Sequence, residues 1–191
     1  ILGDLFCRIA LRSVHVRVGI LTGGGDCPGL NAVIRAVVRK GELVYGHQLV
    51  GFLDAWDGVM ERRTIPLDVS ALRGMLPRGG TLLGTRRGSP YDHVDGLERV
   101  QATFTDMGLD ALVVIGGNGS QSGAQALAAQ GLAVVGVAST IDNDLLGTDI
   151  TIGATTAVDV ALESMDRLRV TASSHRRGFL IEVMGRDCGY L

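Results

Sequence analysis

With 191 residues, 46% of them hydrophobic, the chain suits one α/β domain together with the beginning of a second. A formal charge of -2 gives no overall reason to expect nucleic acid or a membrane surface as a partner, and no apolar run approaches membrane-spanning length. The 28 glycines are scattered through loop positions, and Cys7, Cys27 and Cys188 are odd in number and lack metal spacing, so free thiols in a reducing, cytoplasmic setting are expected.

Residues 1–12 have a short apolar flavour, but Asp4 and the want of a small-residue cleavage site argue against a secretory signal, so 1–13 read as an extension. The first predicted strand covers 14–21 and runs into TGGGDCPGLN. There Gly23, Gly24 and Gly25 make a turn, and Pro28 stands at the threshold of a helix, where its missing donor costs little. That helix covers about 30–44, with Val33, Ile34, Val37 and Val38 on its apolar face. The glycines make either a plain strand-to-helix turn or a phosphate cradle; neither a P-loop nor the strict dinucleotide pattern is present. Arg35 and Arg39, one turn apart, either hold an anion between them or lie on a solvated face.

A second strand is predicted over 48–53, followed by Asp54, Trp56 and Gly58 in a loop. Trp56, the single tryptophan, either stacks on a purine or plugs the core. Arg62, Arg63 and the Ile65-Pro66-Leu67 stretch lead to a short helix near 69–76. Residues 78–90 then pack four glycines and three arginines together, a composition suited to anion binding because guanidinium matches phosphate bidentately; an ordinary basic surface loop is the alternative. An amphipathic helix over 95–107 turns Leu97, Val100 and Phe104 inward.

The organising stretch is 111–144. Leu112 to Ile115 is a β-branched apolar run, as in a strand buried on both faces of a parallel sheet. Gly116, Gly117 and Gly119 permit close backbone approach, and Ser120 is placed to cap a helix that ends near Leu127. A helix start after such a turn offers free N–H groups and a positive dipole end to phosphate. Residues 133–138 form the next strand, with Thr140, Asp142 and Asp144 at its carboxyl end, where ligands of open α/β sheets bind. Two glycine turns and two carboxylates at one edge are the layout of a phosphoryl-transfer site. Beyond it, a helix over 155–173 carries the stripe Val158, Ala161, Leu162, Met165 and Leu168 and an i,i+4 pair of Glu163 with Arg167. A last strand is expected over 179–183, with no capping element after it.

With these residues in place, the sequence resembles the 6-phosphofructokinases. LTGGGDCPGLNAVIR, GGTLLGTRR, LVVIGGNGS, TIDND-x-x-GTD-x-TIG, DRLR-x-T-x-SSH and EVMGR stand in that family's order and approximate spacing, from about Val16 to the last residue, which is about half of a typical family chain. The resemblance implies a doubly wound parallel α/β sheet with Rossmann-type layers, a nucleotide-binding domain over 14–151, and the start of a sugar-phosphate-binding domain over 152–191. It implies transfer of the γ-phosphoryl group of MgATP to the 1-hydroxyl of fructose 6-phosphate by a cytoplasmic homo-oligomer, a tetramer in the family. A pyrophosphate-dependent enzyme and a non-catalytic, effector-binding subunit are the alternatives, and a fragment lacking the other half is expected to be a poor enzyme.

Residue by residue, the family's catalytic base falls on Asp142, with Thr140 and Asp144 in support and Arg87 stabilising charge in transit. Gly25, Arg87, Gly88, Gly117, Asn118, Gly119, Ser120 and Gly123 match nucleotide positions, and Trp56 falls where the family often has an aromatic near the adenine. Arg177 matches an arginine that reaches sugar phosphate in a neighbouring subunit, while Met184, Gly185 and Arg186 match the sugar-binding turn. Arg35, Arg39 and Arg169 match effector-site arginines. Mg²⁺ would fall to Asn118, Asp142 and Asp144, yet Asn118 stands where the family usually has aspartate and brings no charge. Ser139 is the second departure: ATP-using relatives tend to have glycine there and pyrophosphate-using ones lysine. Gly119 is kept, which leaves room for a nucleotide and points to ATP.

Overall fold

The computed structural model describes residues 16–185 and 187–191; the extension with Cys7, the expected start of the first strand at Val14, and Arg186 lie outside the described residues. The chain builds β1 (Arg17–Gly23), α1 (Leu30–Tyr45), β2 (Gln48–Phe52), α2 (Trp56–Glu61), β3 (Thr64–Leu67), a 3-10 turn (Pro90–Asp92), α3 (Gly96–Met107), β4 (Ala111–Gly116), α4 (Asn118–Ala129), β5 (Val134–Thr140), β6 (Ile152–Gly153) and α5 (Ala154–His175).

The six strands form one sheet in the order β3-β2-β1-β4-β5-β6. All neighbouring pairs are parallel except β2 with β3, so the sheet is mixed at one edge rather than wholly parallel. The central strands are apolar on both faces because both are covered. On one side Val18 and Ile20 of β1 and Val113 and Ile115 of β4 pack with Leu30, Ile34 and Val38 of α1. On the other, Leu21, Leu112 and Val114 pack with Trp56 and Val59 of α2, Val100 and Phe104 of α3, and Leu127 of α4. The chain passes from β1 outward to β2 and then returns to place β4 on the other side of β1. The strand order reverses between β1 and β4, the place where doubly wound sheets open a crevice at their carboxyl ends.

Several elements differ from the sequence expectation. Trp56 lies not in a loop but at the start of α2, and its side chain is 2% exposed. The Ile65-Pro66-Leu67 stretch is β3, which tolerates Pro66 because an edge strand need not donate from every residue. Residues 69–76 are a run of hydrogen-bonded turns rather than a helix: Gly74 sits at φ 72° and Pro77 disfavours helical geometry at Leu76. Leu72 and Met75 nevertheless reach the core. Residues 179–183 form no strand, since no neighbour within the described residues presents an edge to them, and Leu180 projects fully into solvent. In α5 only Ala154 is buried; Leu162, Met165 and Leu168 of the expected stripe are uncovered, and Glu163 pairs with Arg167 at the surface. Among the described residues, no helix is long and apolar enough to cross a membrane.

Candidate active site

Three loops meet at the carboxyl ends of β1, β4 and β5. The first is the glycine turn after β1. Gly23 is paired in register with Gly116 of β4, and a Cβ on Gly116 would run into the Gly23 carbonyl oxygen and the Ser120 side chain. Only glycine permits the two turns to close on each other in this way.

The arginine- and glycine-rich segment is stitched onto that first turn. The Gly24 N–H donates to the Arg86 carbonyl (2.8 Å), and the Thr85 hydroxyl donates to the Gly24 carbonyl (2.9 Å). Deeper down, Thr22 donates to the Gly84 carbonyl (2.7 Å) and Asn31 brackets the segment through the Arg78 carbonyl (3.0 Å) and the Leu82 N–H (2.8 Å). Leu83 is fully buried and anchors the loop. The outcome separates two adjacent arginines. Arg86 turns away to Asp57 (3.0 Å), whereas Arg87 lines the cleft and has no side-chain partner among the described residues.

The second turn opens α4 with Gly117 as its N-cap and no side-chain cap, so its first N–H groups face the cleft. Ser120 does not cap the helix, contrary to expectation. It is 2% exposed in the first turn, and its hydroxyl, lining the cleft, has no partner among the described residues. A buried hydroxyl without a partner beside free helix N–H groups is suited to an anionic ligand. Gln121 holds this helix start in place by donating from Nε2 to the carbonyls of Val114 (3.2 Å), Gly116 (3.0 Å) and Val137 (3.1 Å). Sequence reading missed Gln121; nothing local marks a glutamine that bridges two strand ends.

The third element is the acidic loop. The Asp142 N–H donates to the Thr140 hydroxyl (3.2 Å), which turns the chain at the end of β5. Asn143, in the left-handed region at φ 48°, accepts from the Thr151 N–H (2.8 Å), and the Thr151 hydroxyl donates to the Thr140 carbonyl (2.7 Å). Asn143 was also missed: its role depends on a loop closing eight residues later. Asp144 accepts from the Asn118 Nδ2 (2.8 Å).

These loops enclose a cleft of about 270 Å³. It brings together Gly25, Arg87, Gly88, Gly117, Asn118, Gly119, Ser120, Thr140, Asp142, Asp144, Met184 and Gly185, with Asp26, Cys27 and Ser139 beside them. Cys27 and Ser139 form a buried pair, Sγ to Oγ 2.9 Å, and burial pushes the Cys27 thiol up from its ordinary value. Trp56 and Gly123 are not at the cleft: they pack on each other in the core, so the core-plug reading of Trp56 holds and stacking on an adenine does not. Arg177 is exposed and lies over the Phe179 ring (5.3 Å), away from the cleft. Arg35 and Arg39 lie on α1 and Arg169 on α5, with no side-chain partner for any of them among the described residues. Among the described residues no three His, Cys, Asp or Glu side chains converge as a metal site.

A family model described as Phosphofructokinase matches residues 17–191. The chain is 52% identical over 177 residues to a pyrophosphate–fructose 6-phosphate 1-phosphotransferase of Streptomyces coelicolor, covering 92% of this chain and 52% of the relative. It is 49% identical over 176 residues, at the same coverage, to an ATP-dependent 6-phosphofructokinase 3 of the same organism. It therefore spans about half the length of these relatives. Among solved structures, phosphofructokinase from Saccharomyces cerevisiae superposes with a TM-score of 0.80 at 36% identity, over 91% of this chain and 26% of that one.

Proposed function

The chain belongs to the phosphofructokinase family, and on that premise we propose that it forms the donor-binding half of a 6-phosphofructokinase that moves the γ-phosphoryl group of ATP to the 1-hydroxyl of fructose 6-phosphate. The observation that carries the reading is the convergence on one cleft between two glycine turns of Asp142, Arg87 and the Ser120 hydroxyl, the last two without a side-chain partner among the described residues.

In this reading the free N–H groups at the start of α4 and the Ser120 hydroxyl bind donor phosphate, and the backbone at Gly24 and Gly25 approaches from the other side. Asp142 accepts the proton of the sugar 1-hydroxyl as its oxygen bonds to phosphorus and the bond to the departing diphosphate breaks. Arg87 stabilises the charge in transit, free to do so because Arg86 carries the tether to Asp57. Met184 and Gly185 border the sugar side near Asp142, and Arg186 and Arg177 complete sugar-phosphate binding, Arg177 from a neighbouring subunit. Mg²⁺ would be held by the Asn118 carbonyl oxygen, Asp142 and Asp144, hard oxygen donors that are too few for a protein-made cage. When bound, it neutralises charge on the donor phosphates.

Residues 14–151 make the nucleotide-binding domain and 152–191 begin the sugar-phosphate domain, in a cytoplasmic homo-oligomer whose effector site includes Arg35, Arg39 and Arg169. Pyrophosphate is the second donor to weigh, because one of the two Streptomyces relatives carries that name and Trp56 is unavailable for stacking. The test is phosphorylation of fructose 6-phosphate by the full-length protein with ATP or pyrophosphate, beside Asp142→Asn. Turnover with ATP that falls by about a hundredfold or more in the variant supports the reading. Turnover with pyrophosphate alone moves the donor assignment, and none with either donor removes the kinase.

A further inference from the structure

Gln121 lies in the first turn of α4, one residue beyond Ser120, and its amide rests across the ends of two strands. Its Nε2 donates to the carbonyls of Val114 (3.2 Å) and Gly116 (3.0 Å) on β4 and of Val137 (3.1 Å) on β5. An amide nitrogen carries two hydrogens, so the three oxygens share them. The Gln121 Oε1 occupies the place where a Cβ on Gly136 would stand. Gly136 is paired in register with Val114 and is not in the left-handed region, so it is the room for this amide, not backbone conformation, that calls for glycine there.

The amide does what packing does not. Ala124 and Leu127 seat α4 on the sheet, but they stand one and two turns farther along the helix. Apolar burial is also non-directional, so it constrains the first turn only weakly. Hydrogen bonds to three carbonyls are directional. With the side chain at 121 held down on the sheet, Ser120 and the uncapped N–H groups before it face the cleft. Val137 stands three residues before Thr140, so the same amide ties the start of α4 to the strand that leads into the acidic loop.

We propose that Gln121 is a positioning residue for the phosphoryl donor: it fixes the rotation of the first turn of α4, and Gly136 supplies the space in which its amide lies. This rests on the phosphofructokinase reading and names what sets the donor-phosphate cradle. Two features support it independently of each other: the three-carbonyl contact, and the absence of a side chain at the one place where it would displace that amide.

The experiment compares the full-length wild type with Gln121→Ala, Gly136→Ala and the double variant. Calorimetry measures binding of imidodiphosphate and of a non-hydrolysable ATP analogue, and steady-state kinetics gives the KM for fructose 6-phosphate. Gly136→Ala folds, because the atom it meets is the far end of a flexible side chain, which swings away. Each single variant should weaken the analogue that the wild type binds by about fivefold or more, while the sugar KM stays within about twofold. The double variant should bind within about twofold of Gln121→Ala, since both changes remove the same contact. A smaller loss in Gly136→Ala overturns the proposal, even if Gln121→Ala fails to fold. So do losses that multiply in the double variant, a sugar KM that rises as far as donor affinity falls, or an active wild type that binds neither analogue. Wild-type turnover separates the two readings: an active enzyme indifferent to Gly136→Ala sinks this inference alone, whereas inactivity with both ATP and pyrophosphate sinks the function on which it rests.

Discussion

Gly116 ends β4 directly beside Gly23 at the end of β1, so close that a Cβ on Gly116 would meet the Gly23 carbonyl and both side-chain atoms of Ser120. The contact is with backbone and with a buried neighbour, neither of which can move aside easily. Gly116→Ala should therefore destabilise the protein by about 1–3 kcal/mol, seen as a lower thermal midpoint by roughly 2–4 °C for each kcal/mol. Gly119, three residues on, has nothing within 4 Å of its Cβ position and lies inside α4. Gly119→Ala should be neutral or raise stability by up to about 1 kcal/mol, while weakening donor binding because the added methyl faces the cleft. Equal losses of stability in both variants would contradict the close approach.

Cys27 is 4% exposed, bonded to Ser139, and its thiol is pushed up from its ordinary value chiefly by burial. The thiolate is the reactive form, so both access and ionisation protect it. Peptide mapping after brief alkylation of the native protein near neutral pH should find Cys27 labelled at least about tenfold more slowly than the half-buried Cys188. In denaturant the two should react alike. Rapid native labelling of Cys27 would mean that the Cys27–Ser139 pair is not closed.

Asp54 and Arg63 form an ion pair of 2.5 Å between the end of β2 and the start of β3, and the Arg63 guanidinium holds the Asp54 carboxyl below its ordinary value. A depressed carboxyl contributes stability above its unfolded value and loses that contribution as pH falls through the folded one. Asp54→Asn is a fitting probe because Asp54 sits at φ 57°, which asparagine also tolerates. The thermal midpoint of the variant should lie below that of the wild type near neutral pH, and the gap should close below the ordinary carboxylate range. A gap that persists unchanged in acid would place the effect elsewhere than in this charge.

Much of the cleft was legible because its parts are short and local: each glycine turn follows an apolar run, and Thr140, Asp142 and Asp144 sit within five residues. Central strands covered on both faces announce themselves as continuous apolar stretches. What escaped depended on distant partners. β3 is a strand only because β2 offers it an edge, and 179–183 is none because no described neighbour does. Gln121 and Asn143 work by bridging segments that the sequence does not juxtapose. Asn118 read as a weakened metal ligand until Asp144 was found at its amide.

Trp56 is the clearest case of two sequence readings that packing separates. It is the only tryptophan, is 2% exposed, and lies against the backbone of Gly123, whose Cβ position is 3.0 Å from the ring. Its Nε1 is buried without a partner among the described residues, so the residue contributes through its rings rather than through a hydrogen bond. Intrinsic fluorescence should accordingly be blue-shifted, resistant to acrylamide, and unchanged by saturating ATP. Trp56→Ala should cost about 3–5 kcal/mol of stability, and Trp56→Phe, which keeps most of the ring, should retain donor affinity within about threefold, less than the 1–3 kcal/mol that a stacked base loses with its platform. Nucleotide-dependent quenching, together with a loss of ATP affinity in Trp56→Phe that spares pyrophosphate, would return this ring to the donor site.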